Sequence, residues 1–98
     1  MTARRDGETL VLEGPVTLTN VAGVLDDGYA QIRAGAVKVD LAGVTELDSS
    51  LLAMLLAWLR EARQLGRPLE IAHLPEGLAT LARVYGVVEL LPSGAAAH

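Results

Sequence analysis

Two adjacent hydroxyls, Ser49 and Ser50, directly behind a carboxylate, Asp48, are the groups in this chain whose type and spacing suit chemistry. A serine in such a setting can act as a nucleophile if a base stands near it, accept a phosphoryl group, or cap the first free N–H groups of a helix. The nucleophile option lacks its partner. Only His73 and His98 are available as bases, and no Gly-x-Ser-x-Gly turn surrounds either serine, so no catalytic residue is expected. Asp40, Glu46 and Asp48 suggest a metal cluster, yet a strand end and a helix cap account for them, and no metal is expected. The glycines are scattered, with no Gly-rich loop leading to Lys and Ser or Thr, which leaves a nucleotide site unsupported; no cofactor and no small-molecule substrate are expected.

The serines open the stretch VTELDSSLLAMLLAWLREA, residues 44–62, in which nine apolar residues, Leu51–Leu59, precede the first charge at Arg60. A helix here ends near Leu65, closed by Gly66 and Pro68. Its periodicity gathers Leu51, Leu52, Leu55, Trp58, Leu59 and Ala62 on one broad face, the natural core face. The opposite side consists of Ala53 and Ala57, flanked by Met54 and Leu56, with Arg60 farther along. If the sheet covers only the first stripe, this second one is exposed apolar surface of the kind that marks a docking site. Ser49 is expected to cap the helix, a role Asp48 would also serve. The three polar residues together form a small ledge beside the patch, at a helix end suited to phosphate. Arg60, Arg63 and Arg67 complement the negative helix terminus, or offer a basic rim to an acidic partner.

The elements that must position this helix are readable around it. ETLVLE (8–13) and VTL (16–18), separated by Gly14-Pro15, suggest an edge hairpin. Thr19 or Asn20 begins a helix with Val21, Val24, Leu25, Tyr29 and Ile32 inward, ending near Gly35. AVKVDLA (36–42) suits a central strand followed by a short loop, PLEIAHL (68–74) the next strand, and PEGLATLARVYG a helix begun by Pro75. This order implies an α/β fold, a small mixed β-sheet flanked by about three to four α-helices in one domain over 1–98. Residues 1–7 and 93–98 are expected to be loosely ordered.

Composition narrows the partners. Eight basic against twelve acidic side chains and three aromatic ones argue against nucleic acid. The absence of cysteine removes disulfides and thiolate chemistry. No signal-peptide pattern and no run of the ~18 apolar residues of a membrane span is present, so a cytoplasmic protein without direct membrane insertion is expected.

The stretch VKVDLAGVTELDSSLLAMLLAWLREARQLGRPLEIA resembles the core of the STAS family, with its strand ending in Asp-Leu, short loop, Asp-Ser-Ser and helix. That resemblance implies an interaction module rather than an enzyme. It also implies that Ser49 is the position phosphorylated or contacted by the partner in anti-sigma-factor antagonists. Chain length and the ending LEIAHLPEGLATLARVYGVVELLP look most like the short members that serve phospholipid-transporting ABC complexes. The resemblance then implies binding to the ATPase subunit, indirect contact with the membrane permease, and peripheral association with the inner membrane in support of outer-membrane lipid asymmetry. The partner-binding residues would be Asp48, Ser49, Ser50, Ala53, Met54, Leu56, Ala57 and Arg60. The alternative is an anti-sigma-factor antagonist switched by phosphorylation of Ser49. Leu51, where antagonists carry Gly, and Thr17, where many members carry Asp, favour docking over the switch.

Overall fold

The computed structural model describes residues 2–91 of the 98. Strands β1 (Ala3–Asp6) and β2 (Thr9–Val16) lead to helix α1 (Val21–Arg33). Strand β3 (Lys38–Leu47), helix α2 (Ser49–Gln64), strand β4 (Glu70–Ala72) and helix α3 (Glu76–Val84) follow, and a short 3-10 turn, Val88–Leu90, closes the described chain. The expected mixed α/β fold is present, as a four-stranded sheet with three helices.

The sheet runs β1-β2-β3-β4, with β1 antiparallel to β2 and the other neighbours parallel. Parallel neighbours require crossovers, and two right-handed crossovers taken in the same direction leave α1 and α2 on one face. Burial along the strands agrees. Leu10, Leu12 and Val16 of β2, Val39 and Leu41 of β3 and Ile71 of β4 are buried. The residues alternating with them, such as Val11, Glu13, Lys38 and Glu70, are half-buried or exposed. That second face carries the ion pairs Arg4–Glu13 (3.0 Å) and Lys38–Glu70 (3.2 Å). The core between sheet and helices is largely aliphatic, each fully buried leucine contributing about 2 kcal/mol, with Trp58 of α2 at its centre. The Trp58 indole Nε1 donates to the Leu25 carbonyl of α1 at 3.1 Å, and Gly28 of α1 leaves the space that the ring occupies.

Several expectations need correction. The hairpin is formed by β1 and β2 around Gly7, with Ala3 paired to Leu12 and Asp6 to Thr9. Residues 3–6 are therefore an ordered edge strand rather than part of a loose end; the expectation for 93–98 falls outside the described residues. Gly14-Pro15 is not a turn but lies inside β2, where the pairing with β3 shifts register. The loop expected after Gly43 is strand. Between the pairs Val11–Asp40 and Glu13–Gly43, and again between Gly14–Val44 and Val16–Leu47, β3 spends one more residue than β2. These two bulges break the period-two pattern that would have announced the strand. Pro75 precedes α3 as its cap position rather than opening it, and Asn20 starts α1 without capping it through its side chain. The Asn20 Oδ1 instead accepts from Thr17 N at 3.0 Å and Nδ2 donates to Pro15 O at 2.9 Å, which closes the loop before α1.

Candidate functional site

Strand β3 runs directly into α2 through Asp48, whose extended backbone turns the chain from sheet to helix. Its carboxylate serves two elements. Oδ1 accepts from Ser50 N at 2.9 Å and from the Ser50 hydroxyl, and Oδ2 accepts from Leu18 N at 2.9 Å in the β2–α1 loop. The Ser50 hydroxyl, the Leu18 amide and the Ser50 amide hold this carboxyl below the usual carboxylate range. The three polar residues thus divide their roles: Asp48 is the cap, Ser50 supports the cap, and Ser49, the first helical residue, stands exposed. Ser49 is not the capping residue. Among the described residues its hydroxyl makes no hydrogen bond, which leaves it open to a partner.

Because the Asp48 carboxyl sits below its ordinary value of 3.8, its bonds stabilise the fold fully above that pH. The contribution is lost as pH falls through the lower folded-state value. Asp40 behaves likewise: the Ala42 amide, donating to Oδ1 at 2.9 Å, and then the His73 ring lower it. The melting temperature is therefore expected to hold from neutrality to just above pH 4 and to drop below it. In Asp48→Asn the acid-dependent part of that drop should shrink. Asp48→Ala should lower the neutral-pH melting temperature by on the order of 5 °C through loss of the cap. Thermal melts across a pH series check all three.

Beyond the ledge, α2 turns only a narrow strip outward, because α1 and α3 both pack against it and its inward face, Leu51, Leu52, Leu55 and Trp58, is buried in the core. Ala53 and Arg60 are exposed, and Leu56 and Ala57 are half-buried. Met54 is a correction: at 2% exposure it belongs to the core, not to the docking strip. Leu59, expected in the core, is half-buried at the surface. Residues outside α2 enlarge the strip. Helix α3 ends at Gly86, whose φ of +71° lets Val87 N donate back to Ala82 O at 2.9 Å. That reversal lays Tyr85 and Val87 beside Ser49, Leu52, Ala53 and Leu56 around a shallow concavity of about 380 Å³. Tyr85 remains 59% exposed, and Leu18, fixed by Asp48, is 78% exposed. Sequence reading missed Leu18, Tyr85 and Val87. They lie outside the regular elements, where periodicity carries no information about facing.

Hydrolytic chemistry finds no support in the geometry. The Nδ1 atom of His73 lies 2.9 Å from Asp40 Oδ1, eight residues upstream of Asp48 along β3 and so about 20 Å away from the serines. His73 itself adopts φ +57° just beyond β4 and is exposed. Among the described residues no three His, Asp or Glu side chains gather to hold a metal ion, and no helix is long and apolar enough to cross a membrane.

The comparisons bear on this architecture. No curated protein sequence matches the chain. Among solved structures it is similar to the anti-sigma factor antagonist SpoIIAA in its unphosphorylated form, at 20% identity and TM-score 0.63, over 86% of this chain and 79% of that one. It is also similar to the crystal structure of Mglu, at 24% identity and TM-score 0.54, over 76% of this chain but only 19% of that one. At these identities both are likenesses of fold. The sequence profile of the family described as "Mlab, STAS domain" matches residues 1–92, from β1 through the turn after α3. A profile match across all the described elements, on a mixed sheet with this helix layer, places the chain in the STAS-domain family, most like its Mlab members.

Proposed function

We propose that the chain is a non-catalytic docking subunit that binds and supports the ATPase of a phospholipid-transporting ABC complex. It would meet the permease only through that ATPase, on the cytoplasmic side of the inner membrane, and needs no cofactor. The observation that carries this reading is the apolar surface at the start of α2. The exposed Tyr85 ring lines one concavity with the free Ser49 hydroxyl and the small Ala53, and the exposed Leu18 is tied through its amide to the carboxylate of Asp48, the residue before Ser49. Exposed apolar surface rimmed by polar groups is the mark of an interface rather than of a reaction centre. The family match supports the transport setting.

A phosphoryl switch at Ser49 is the second reading, favoured by the exposure of that hydroxyl at a helix N-terminus. The capping carboxylate of Asp48 opposes it, since a phosphate dianion on the next residue would face a like charge. Because Asp48 is the cap, Ser49→Ala should change stability by less than about 0.5 kcal/mol while weakening binding. Ser49→Thr should be tolerated, and Ser49→Arg should block docking by filling the ledge beside Ala53. Binding of purified variants to the ATPase subunit, with ATP hydrolysis as readout, tests the proposal. A Ser49→Arg protein that binds and activates like the parent would remove the ledge from the interface. Phosphate on Ser49 that varies with growth state would establish the switch instead.

A further inference from the structure

The second half of the α2 surface has a character of its own. Leu56, Leu59 and Leu90 line a groove of about 250 Å³, with Arg60 and Arg63 on its edge. These two arginines differ from the other basic side chains. Arg4 pairs with Glu13, Arg33 with Glu61 and Lys38 with Glu70. Arg5 bonds Gly7 and Gln31, Arg67 the Ile32 and Arg33 carbonyls, and Arg83 the Thr80 hydroxyl. Arg60 and Arg63 alone make no ion pair or hydrogen bond among the described residues, in a chain of net charge −4 with acidic groups to spare. Spaced three apart on the helix, they share one side of it. Leu90, 54% exposed, faces them across the groove.

We infer that this groove is a second recognition site, which takes an acidic amphipathic segment of a protein partner. Apolar side chains of the segment would enter between Leu56, Leu59 and Leu90 while its carboxylates meet the guanidiniums of Arg60 and Arg63, the bidentate pairing that arginine favours. The inference rests on reading the chain as a docking module, whatever the partner's identity. An anionic membrane surface fits less well, because such attraction draws on clusters of about four to eight cations, and here Glu89 also stands near the same end of the helix. Residues 92–98, PSGAAAH, carry no acidic side chain and no leucine-sized apolar one, so they complement neither half of the groove.

The test is a nuclear magnetic resonance titration of the full chain with a soluble amphipathic peptide of repeated Leu-Glu-Glu-Leu units. The Leu-Lys-Lys-Leu peptide and phosphatidylglycerol vesicles serve as alternative ligands. Shifts centred on Leu56–Arg63 and Leu90 are expected with the acidic peptide, weakening as salt rises. Arg60→Glu combined with Arg63→Glu should lower the affinity by roughly tenfold or more, while the paired Lys substitutions, which keep the charge and lose the bidentate fork, should lower it less. Equal binding of the basic peptide, indifference to charge reversal, binding of vesicles in place of the peptide, or no binding at all would each overturn the inference. So would affinity that appears only after the chain is ended at Leu91, which would make the tail the occupant. Failure of the ATPase to co-purify would count against the transport reading alone, because this titration does not use it.

Discussion

Gly28→Ala is expected to destabilise the fold by about 3 kcal/mol, at the upper end of what an extra core methyl costs. This runs against helix propensity, which favours alanine over glycine inside a helix by about 1 kcal/mol. Packing decides the sign. A Cβ at position 28 would lie 2.7 Å from Trp58 Nε1 and closer still to Cζ2 and Cε2, well inside the ring's van der Waals surface. The ring cannot swing aside freely, since Trp58 is fully buried and its N–H is tied to the Leu25 carbonyl of the same helix that carries Gly28. Relief must come from parting α1 and α2, the main helix–helix contact of the layer. For a chain of this length the melting temperature should fall by roughly 15 °C. The mechanism has its own check: in a Gly28→Ala, Trp58→Phe double variant the smaller ring vacates the clash. The combined loss should then be clearly less than the sum of the single losses. Additive losses, or a Gly28→Ala protein as stable as the parent, would mean that the helices accommodate the methyl and that the contact is not a constraint.

That contact also shows where sequence reading stops. The broad inward face of α2, with Leu51, Leu52, Leu55, Trp58 and Ala62, was legible because helical periodicity reports which residues share a side. The close of α2 at Gly66 and the alternation of helix and strand from α1 onward were legible from local signals, whereas β1 was not, and the two strands expected before α1 fall largely within β2. Periodicity says nothing about how many neighbours cover a helix. Met54 looked like a shoulder of the open side, yet it is buried in a helix that both α1 and α3 contact. Gly28 carries no local signal of its role, and only a tryptophan thirty residues later explains it. Of the site, the Asp48-Ser49-Ser50 ledge and Ala53 were visible in the sequence. The division of labour among the three polar residues was not, because Asp48 and Ser49 are equally good caps by type and only the Leu18 and Ser50 bonds distinguish them.

Ala53→Arg is expected to abolish docking while leaving the isolated protein folded. The side chain of residue 53 is exposed on α2, so an arginine there meets no core atom, and its helix propensity is close to that of alanine. Stability should change by less than about 0.5 kcal/mol. The same arginine would project into the concavity bounded by Ser49, Leu56 and Tyr85, where a partner's apolar side chain would otherwise be buried. Steric exclusion together with an uncompensated buried charge should cost binding roughly a hundredfold or more, about 2.7 kcal/mol. Tyr85→Ala removes an exposed ring of the kind that anchors interfaces, and should weaken the same binding without touching the core. Ala57, by contrast, is half-buried, so Ala57→Glu would mix a packing defect with any effect on docking. Circular dichroism melts and co-purification with the ATPase subunit separate the outcomes. A melt lowered as far as the binding would place Ala53 in the core. A folded Ala53→Arg protein that still binds would move the interface off α2, to the open sheet face that carries the Asp40–His73 pair and the Lys38–Glu70 bridge.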